Sequence, residues 1–492
     1  MNTLLAIFWG KSILINLLWI ALYILAIIVS IKIILENRNP QKTVSYLLLI
    51  IFLPFIGIPV YYFFGVNIRS RRKYNIKKLK DSAFFDKMKQ AVTTQSEKII
   101  QDKKLFLENQ SELVKLLLKD SLAQITTDNK INLLINGESK FPEVIKAIEN
   151  AKYHIHIEYY IFEDDEIGNV IKNLLIRKSR EGVKIRFIYD DFGSRSIRKS
   201  FAADLQDAGI EIHPFYKTYF SGLANRWNYR NHRKIVVIDG CIGFTGGINV
   251  ADHYVNKNDN NKLYWRDTHL KIEGSAVHTL QLIFISDWNF TAKNKLDLSF
   301  SFFPVQENDH HQVVQIASSG PDSERATIML AFFTAIVCAT KRVFITTPYF
   351  IPNESILTAL KQAALSGIDV RLLVPRKGDS RLVNAATQSF VSELLDAGVR
   401  IFMYTKGFVH SKTMIIDDNL AIVGTANMDM RSFDMNFEVN AFIYDQEVNQ
   451  QLENVFMEDL KYSREASLNV WNKRSNWRVL AESLVRLFAP VL

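Results

Sequence analysis

The sequence predicts an α/β protein made of two pseudo-symmetric halves that share one active site, preceded by an N-terminal helical membrane hairpin. Three observations carry this expectation. Two apolar runs open the chain, short β-rich runs alternate with helical stretches from about Asn132 onward, and one signature of five residue types occurs twice at the same spacing. A length of 492 residues leaves room for roughly three domains at about 150 residues each.

Residues 13–35, "ILINLLWIALYILAIIVSIKIIL", form a nearly uninterrupted apolar run with Lys32 near its end. As a helix they extend about 35 Å at ~1.5 Å per residue, enough to cross a bilayer core. The run is too long for a cleaved signal peptide, and no small-residue cleavage site follows it. After the polar loop "ENRNPQKT" comes a second apolar run, 44–66, interrupted by Pro54, Gly57 and Pro59, so that it either spans with a kink or re-enters. Arg69, Arg71, Arg72, Lys73, Lys77, Lys78 and Lys80 then crowd together. This cationic flank belongs on the cytoplasmic side, which makes the protein a multi-pass protein of the cell membrane with its catalytic halves in the cytoplasm. The flank either binds anionic lipid or serves only as a topology signal.

Residues 1–66 are therefore expected to be the membrane hairpin and 67–130 a basic flank with an amphipathic linker. The first half is then 131–300, and the second half, with a C-terminal amphipathic helix, is 301–492. The net charge of +9 suits nucleic acid or an anionic membrane, and the apolar runs favour the membrane. Two cysteines, Cys241 and Cys338, offer no disulfide framework and no Cys/His metal cluster, which points to a reducing compartment with no metal and no cofactor.

The duplication is visible in four places. "HIHIEYYIF" (154–162) pairs with "VFITTPYFI" (343–351), "EGVKIRFIYDD" (181–191) with "SGIDVRLLVPR" (366–376), and "AGIEIHPFY" (208–216) with "AGVRIFMYT" (397–405). The fourth pair is "HRKIVVIDGCIGFTGGIN" (232–249) and "HSKTMIIDDNLAIVGTAN" (410–427). Both read His, one residue, Lys, four residues, Asp, six residues, Gly, two residues, Asn. A surface hairpin carrying an incidental His explains one such copy but not two, since chance yields the pattern in about one chain in several thousand.

Residues two apart on a strand share a face, so His232 and Lys234 point one way, as do His410 and Lys412. Asp239-Gly240 and Asp417-Asp418-Asn419 are turn chemistry, which returns Asn249 and Asn427 toward the His/Lys end. Two facing copies then surround a phosphate diester. Lys234, Lys412, Asn249, Asn427 and the hydroxyl of Thr425 hold its oxygens, one neutral histidine attacks phosphorus, and the other protonates the leaving oxygen. Each imidazole needs a carboxylate to orient it. Asp239 and Asp417 complete the repeated catalytic signature, but their offset of seven residues puts them at the far turn and favours a turn-closing role. Asp267 in "YWRDTHLKI" and Glu438 in "NFEVNAFIYD" each precede an alternating strand and are the better orienting acids.

The duplicated His-x-Lys-x4-Asp signature resembles the phospholipase D superfamily. The phrases "EYYIF", "YWRDTHLKI", "PYFIPNE", "GFVHSK" and "NMDMRSFDMNFEVN" are more narrowly similar to bacterial cardiolipin synthases, as are the two apolar runs and the terminal "RLFAPVL". The resemblance spans nearly the whole chain. It implies two phospholipase D-like α-β-α sandwich halves and a two-step exchange: phosphatidylglycerol loses glycerol to leave a phosphohistidine, and a second phosphatidylglycerol attacks it to give cardiolipin. By the same resemblance His232 is the nucleophile and His410 the acid/base, although the pseudo-symmetry leaves the order open. The partners implied are phosphatidylglycerol and anionic membrane lipid, with no nucleic acid. Phosphatidylserine synthase, hydrolytic phospholipase D and nuclease are the alternatives on the same signature. One departure is that Gly246-Gly247 in the first copy lacks the hydroxyl that Thr425 supplies in the second.

In "SNWRVLAESLVRLFAPVL" the residues Trp477, Leu480, Ala481, Leu484, Leu487 and Phe488 share a helical face that either packs in the core or lies on lipid. "WGKS" (9–12) has Leu5 where a phosphate loop needs glycine and is set aside. His154, His156, His213, His253, His269, His278, His310 and His311 have no repeated partner and are read as structural. Arg431 is a candidate headgroup or loop-fixing cation.

Overall fold

The structure, a computed structural model, describes residues 2–36, 40–62, 82–102, 107–121, 123–216, 229–256, 263–305 and 309–489. The basic stretch from Arg69 to Lys80 and the last three residues lie outside the described residues. The chain divides into two compact units, Met1–Tyr74 with Tyr219–Tyr229, and Asn75–Thr218 with Arg230–Leu492.

In the first unit a helix runs Asn2–Glu36, and its stretch Ile15–Leu35 is long and apolar enough to cross a membrane. The second apolar run is not one continuous helix. It forms Pro40–Phe52, breaks at Leu53 (φ −137°, ψ 64°) and resumes as Pro54–Val60, because Pro54 has no N–H to continue the ladder. The 13-residue piece extends only about 20 Å, short of a ~30 Å hydrocarbon core. Gly57 lets the two pieces close on each other, since a Cβ there would stand 2.7 Å from the Cα of Ile50. Trp19 and Phe55 meet edge to face at 5.1 Å and join the broken run to the first helix.

The second unit is organised by one long sheet. Its first-half strands are β1 (Ile125–Ile135), β2 (His154–Tyr159), β3 (Lys184–Tyr189), β4 (Glu211–Pro214), β5 (Ile235–Ile238), β6 (Ile242–Gly246) and β7 (Thr268–Glu273). Those of the second half are β8 (Gln312–Ser319), β9 (Arg342–Thr346), β10 (Asp369–Pro375), β11 (Arg400–Tyr404), β12 (Thr413–Ile416), β13 (Leu420–Gly424) and β14 (Asn436–Tyr444). Spatial order is β4-β3-β2-β5-β6-β7-β1-β8-β14-β13-β12-β9-β10-β11, so each half repeats the other outward from the antiparallel β1–β8 pair. The matched sequence phrases occupy β2 and β9, β3 and β10, and β4 and β11, while the signature forms the hairpins β5–β6 and β12–β13.

Helices cover both faces. In β5, Val236 and Ile238 pack with Phe141 and Leu175 of the helices Asn136–Glu149 and Glu166–Arg180, whereas Ile235 and Val237 pack with Val277 and Leu280 of Ala276–Thr291. In β12, Met414 and Ile416 face one cluster and Ile415 the other. Alternate residues thus enter separate helix layers, each burial worth about 1.5–3 kcal/mol, which is the physical content of an α-β-α sandwich. One cluster joins Val237, Leu270 and Val277 of the first half to Val314, Ile415 and Val439 of the second. The halves therefore share a core. The helix Ser111–Ser121, placed in the linker by its sequence, contributes Leu113, Val114 and Leu117 to the second half's cluster. β1 likewise pairs first with β8 and then, past an irregularity after Thr126, with β7.

Candidate functional site

Both signature histidines lie in extended chain just ahead of their strands, since β5 starts at Ile235 and β12 at Thr413. Each lysine turns its ammonium back to the carbonyl of its own histidine: Lys234 Nζ donates to His232 O at 2.8 Å, and Lys412 Nζ to His410 O. Both lysines are buried.

Asp239 and Asp417 stand at the opposite end of the hairpins with φ of 52° and 49°. The Asp239 carboxylate accepts the backbone N–H groups of Lys152, Tyr153 and His154 at 2.7–2.8 Å. The Asp417 carboxylate accepts those of Thr340, Lys341 and Arg342 at 2.7–3.1 Å. Each therefore closes its turn onto the start of β2 or β9. The signature alone grouped them with the catalytic residues, and their placement corrects this, because their carboxylates are spent on backbone amides at the far turn.

The orienting acids are exchanged between halves. Glu438 places both carboxylate oxygens 3.0 Å from His232 Nδ1, and Asp267 Oδ2 lies 2.7 Å from His410 Nδ1. The backbone enforces the crossing. His232 N–H donates to Phe437 O at 3.0 Å and His410 N–H to Arg266 O at 2.7 Å, so each histidine is pinned to the residue preceding its acid. The segments leading in are also paired in parallel, Arg230–Asn231 with Asn436–Phe437 and Gly407–Val409 with Tyr264–Arg266. Glu438 lies inside β14, which is buried along its whole length rather than alternating.

Thr425 was expected to hold phosphate, and the structure corrects this too. Its hydroxyl donates to Glu438 and accepts Val439 N–H at 2.9 Å, so it braces the acid. The missing hydroxyl of the first copy has a steric cause: a Cβ on Gly247 would lie 2.1 Å from Asp267 Oδ1, where the acid itself sits. Asn249 and Asn427 do return beside the histidines, and all four residues line one cavity of about 400 Å³. Asn249 donates to the Tyr254 hydroxyl at 2.7 Å and accepts Ile161 N–H at 3.2 Å. Asn427 is buried, with no hydrogen-bond partner on its Oδ1.

Burial makes the electrostatics strong. The His232 pKa falls to about 4 through burial, with Glu438 pulling it up and Lys234 pushing it down. That of His410 falls to about 3 through burial and the Lys412 charge, against Asp267. Burial alone would raise Asp267 and Glu438, but Lys412 with His410 in one case, and His232 with Lys234 in the other, hold both below the usual carboxylate range. Near neutral pH the site thus pairs neutral imidazoles with ionised carboxylates. Each imidazole donates from Nδ1 and keeps the Nε2 lone pair free for chemistry. Burial and mutual repulsion bring Lys234 to about 7, and burial brings Lys412 to about 8.

Several functional neighbours were not legible. Arg233, between the first His and Lys, is buried against Asp287 and donates from Nε to Glu438 O at 3.2 Å. The equivalent Ser411 instead donates to Thr268 Oγ1 at 2.6 Å. Tyr160 meets His232 edge-on at 4.9 Å, and its repeat partner Tyr349 donates to Asp379 Oδ2 at 2.5 Å. Only the repeat alignment of "EYYIF" with "TPYFI" marks this tyrosine pair. Lys140 is fully buried and donates to the carbonyls of Ile248 (2.9 Å) and Asn249 (3.1 Å), fixing the loop that carries Asn249. Among the histidines read as structural, His253 lines the cavity; Arg431 lines it too.

A family described as "Cardiolipin synthase, PLD-like domain" matches residues 144–288 and 332–460, and one described as "Phospholipase D-nuclease N-terminal" matches 21–65. Cardiolipin synthase 2 of Bacillus anthracis is 44% identical over 468 residues, covering 95% of this chain and 90% of the relative. Cardiolipin synthase of Listeria monocytogenes serotype 4a (strain HCC23) is 41% identical over 483 residues, covering 97% and 99%. Among solved structures, phosphatidylserine synthase of Haemophilus influenzae Rd KW20 superposes with a TM-score of 0.58 at 14% identity, over 78% of this chain and 98% of that one, a likeness of fold.

Proposed function

The chain belongs to the phospholipase D-like cardiolipin synthase family, and we propose that it joins two molecules of phosphatidylglycerol into cardiolipin and glycerol through a phosphohistidine. The observation that carries this is the pair of imidazoles in one cavity, each held through Nδ1 by a carboxylate from the other half.

In the first step His232 Nε2 attacks phosphorus, the P–O bond to glycerol breaks, and His410 Nε2–H gives its proton to the leaving oxygen. In the second, a hydroxyl of another phosphatidylglycerol attacks the phosphatidyl-His232 phosphorus, its proton passes to His410 Nε2, and the P–N bond breaks. Lys234, Lys412 and the carboxamide N–H of Asn249 stabilise the non-bridging oxygens. With a pKa of about 3, His410 acquires its proton only when the anionic diester arrives and raises its basicity.

The reaction is placed at the cytoplasmic face of the cell membrane, with the first unit as a multi-pass anchor. The C-terminal helix Asn476–Arg486 supports membrane docking. It buries Glu482 against Arg474 and Arg478 while Trp477 (81% exposed), Leu480, Leu484 and, beyond its end, Leu487 face outward. It packs on the helix Arg381–Ser389, with Arg478 donating to Gln388 and Arg486 to Ser389 O.

The test is incubation of the purified protein with phosphatidylglycerol alone, followed by mass spectrometry of the lipids, alongside His232→Ala and His410→Ala. Cardiolipin and glycerol, lost in both variants, are expected. Phosphatidic acid alone makes the enzyme a hydrolase, and no lipid product sends the search to other donors.

A further inference from the structure

A duplicated scaffold handling two copies of one substrate has no chemical need for unequal walls, yet the cavity is polarised. On the His232 side Arg230 and Arg431 line the cavity, where Tyr160 meets their charges together with those of Asp190 and Glu438, and Arg195 and Arg230 both stack on the exposed Phe192 ring at 4.2 and 4.3 Å. On the His410 side Asp379 and Asp429 line the cavity, and their carboxylates act on Lys412 after those of Asp267 and Glu438. At the repeat position of Asp429 the first half has Ala251.

The carboxamides also differ: Asn249 Oδ1 accepts Ile161 N–H at 3.2 Å, whereas Asn427 Oδ1 is buried without a hydrogen-bond partner. Asp429 is itself anchored by Ser432 N–H at 2.6 Å. This wall therefore offers acceptors: the Asp379 carboxylate and the oxygen of the Tyr349 hydroxyl, whose proton is committed to Asp379. Such a set repels a phosphate and matches O–H donors. The charges of Asp379 and Asp429 face the Lys412 ammonium, so a cationic headgroup gains little there while their lone pairs stay usable.

We propose that this wall is a polyol subsite, in which Asp379 and Tyr349 receive a hydroxyl of a glycerol headgroup, first on the leaving glycerol and then on the acceptor. The subsite places the glycerol oxygen beside His410, the group that exchanges its proton. The inference rests on the transferase reading above. It adds what selects a glycerol hydroxyl over water, which has no second hydroxyl to leave on Asp379 and Tyr349 while its oxygen reacts at phosphorus.

The experiment uses the full-length enzyme in mixed micelles with phosphatidylglycerol, and in the reverse direction with cardiolipin and isotopically labelled glycerol, ethanolamine or propanol as acceptor. The wild type is expected to take glycerol over ethanolamine and propanol. Asp379→Ala and Tyr349→Phe are expected to lower the ratio of cardiolipin to phosphatidic acid by at least about tenfold and to raise KM for glycerol, with partial recovery in Asp379→Glu. Because Asp379 is exposed, its truncation leaves the core intact. An unchanged ratio in Asp379→Ala overturns the subsite, as does equal use of propanol. Preference for ethanolamine overturns the polyol assignment in favour of an ammonium site. If the wild type transfers to no alcohol at all, the transferase reading itself fails.

Discussion

Replacing Glu438 by Gln tests the exchange of acids between halves. When His232 is phosphorylated its ring becomes cationic, and the carboxylate that holds Nδ1 from 3.0 Å stabilises that charge. With charge centres about 4 Å apart and an effective dielectric near 20, the attraction is about 4 kcal/mol, or roughly a thousandfold in rate. A glutamine also has one acceptor oxygen where the carboxylate now takes donors from His232, Thr425 and Asn436, so His232 is no longer held firmly in the Nδ1–H tautomer. The combined loss in formation of the covalent intermediate is expected at about 10³–10⁴-fold. Rapid-quench kinetics with 32P-labelled phosphatidylglycerol separate the build-up of protein-bound label from its decay. Glu438→Gln should suppress build-up, whereas Asp267→Asn, acting on His410, should slow both phases. More than a tenth of the wild-type build-up rate in Glu438→Gln, or a defect confined to decay, would refute the pairing of Glu438 with His232.

Gly247→Ser should lose at least about a hundredfold in activity while the fold survives, because its Cβ displaces Asp267, even though the second half carries Thr425 at the same place; activity and circular dichroism together check this. Asp239→Ala strips three backbone amides of their acceptor and should cost about 2–4 kcal/mol in stability, read as a lower denaturation midpoint, with folded enzyme staying within about tenfold of wild-type kcat; Asp239→Asn should be milder. His232 titrates near 6.5 unfolded and about 4 folded, so the unfolded chain takes up its proton first as pH falls. Its stability contribution, full above pH 6.5 and lost by about pH 4, is about 3 kcal/mol, and denaturation midpoints against pH should flatten over this window in His232→Ala. Leu484→Glu with Trp477→Glu should raise the KM expressed as lipid mole fraction by about three- to tenfold while kcat changes by less than about twofold, measured by surface-dilution kinetics.

Much of the site was legible because a duplicated signature is a local object. His232, Lys234, Asn249 and their repeats His410, Lys412 and Asn427 sit at fixed spacing on hairpins whose turn chemistry is written between them, and hairpin geometry brings the ends together without long-range information. The same locality explains the turn-closing aspartates, whose odd offset from histidine already set them apart. The two α/β halves followed from short β-rich runs alternating with helical stretches and from their repetition in order, while the α-β-α layering came from the family resemblance.

Tertiary structure decided the rest, because those facts depend on contacts between residues far apart in the chain. The partner of His232 lies 206 positions away, and only the parallel pairing of Arg230–Asn231 with Asn436–Phe437 gives it Glu438. That Thr425 braces an acid while Gly247 must be glycine depends on where each carboxylate lands, which composition does not encode. The C-terminal helix carries an apolar face either way, and its direction is set by Glu482, buried because Arg474 and Arg478 reach it, which turns Trp477 and Leu484 outward. A sequence specifies which groups a hairpin can present; which groups two hairpins present to each other is settled by the sheet that joins them.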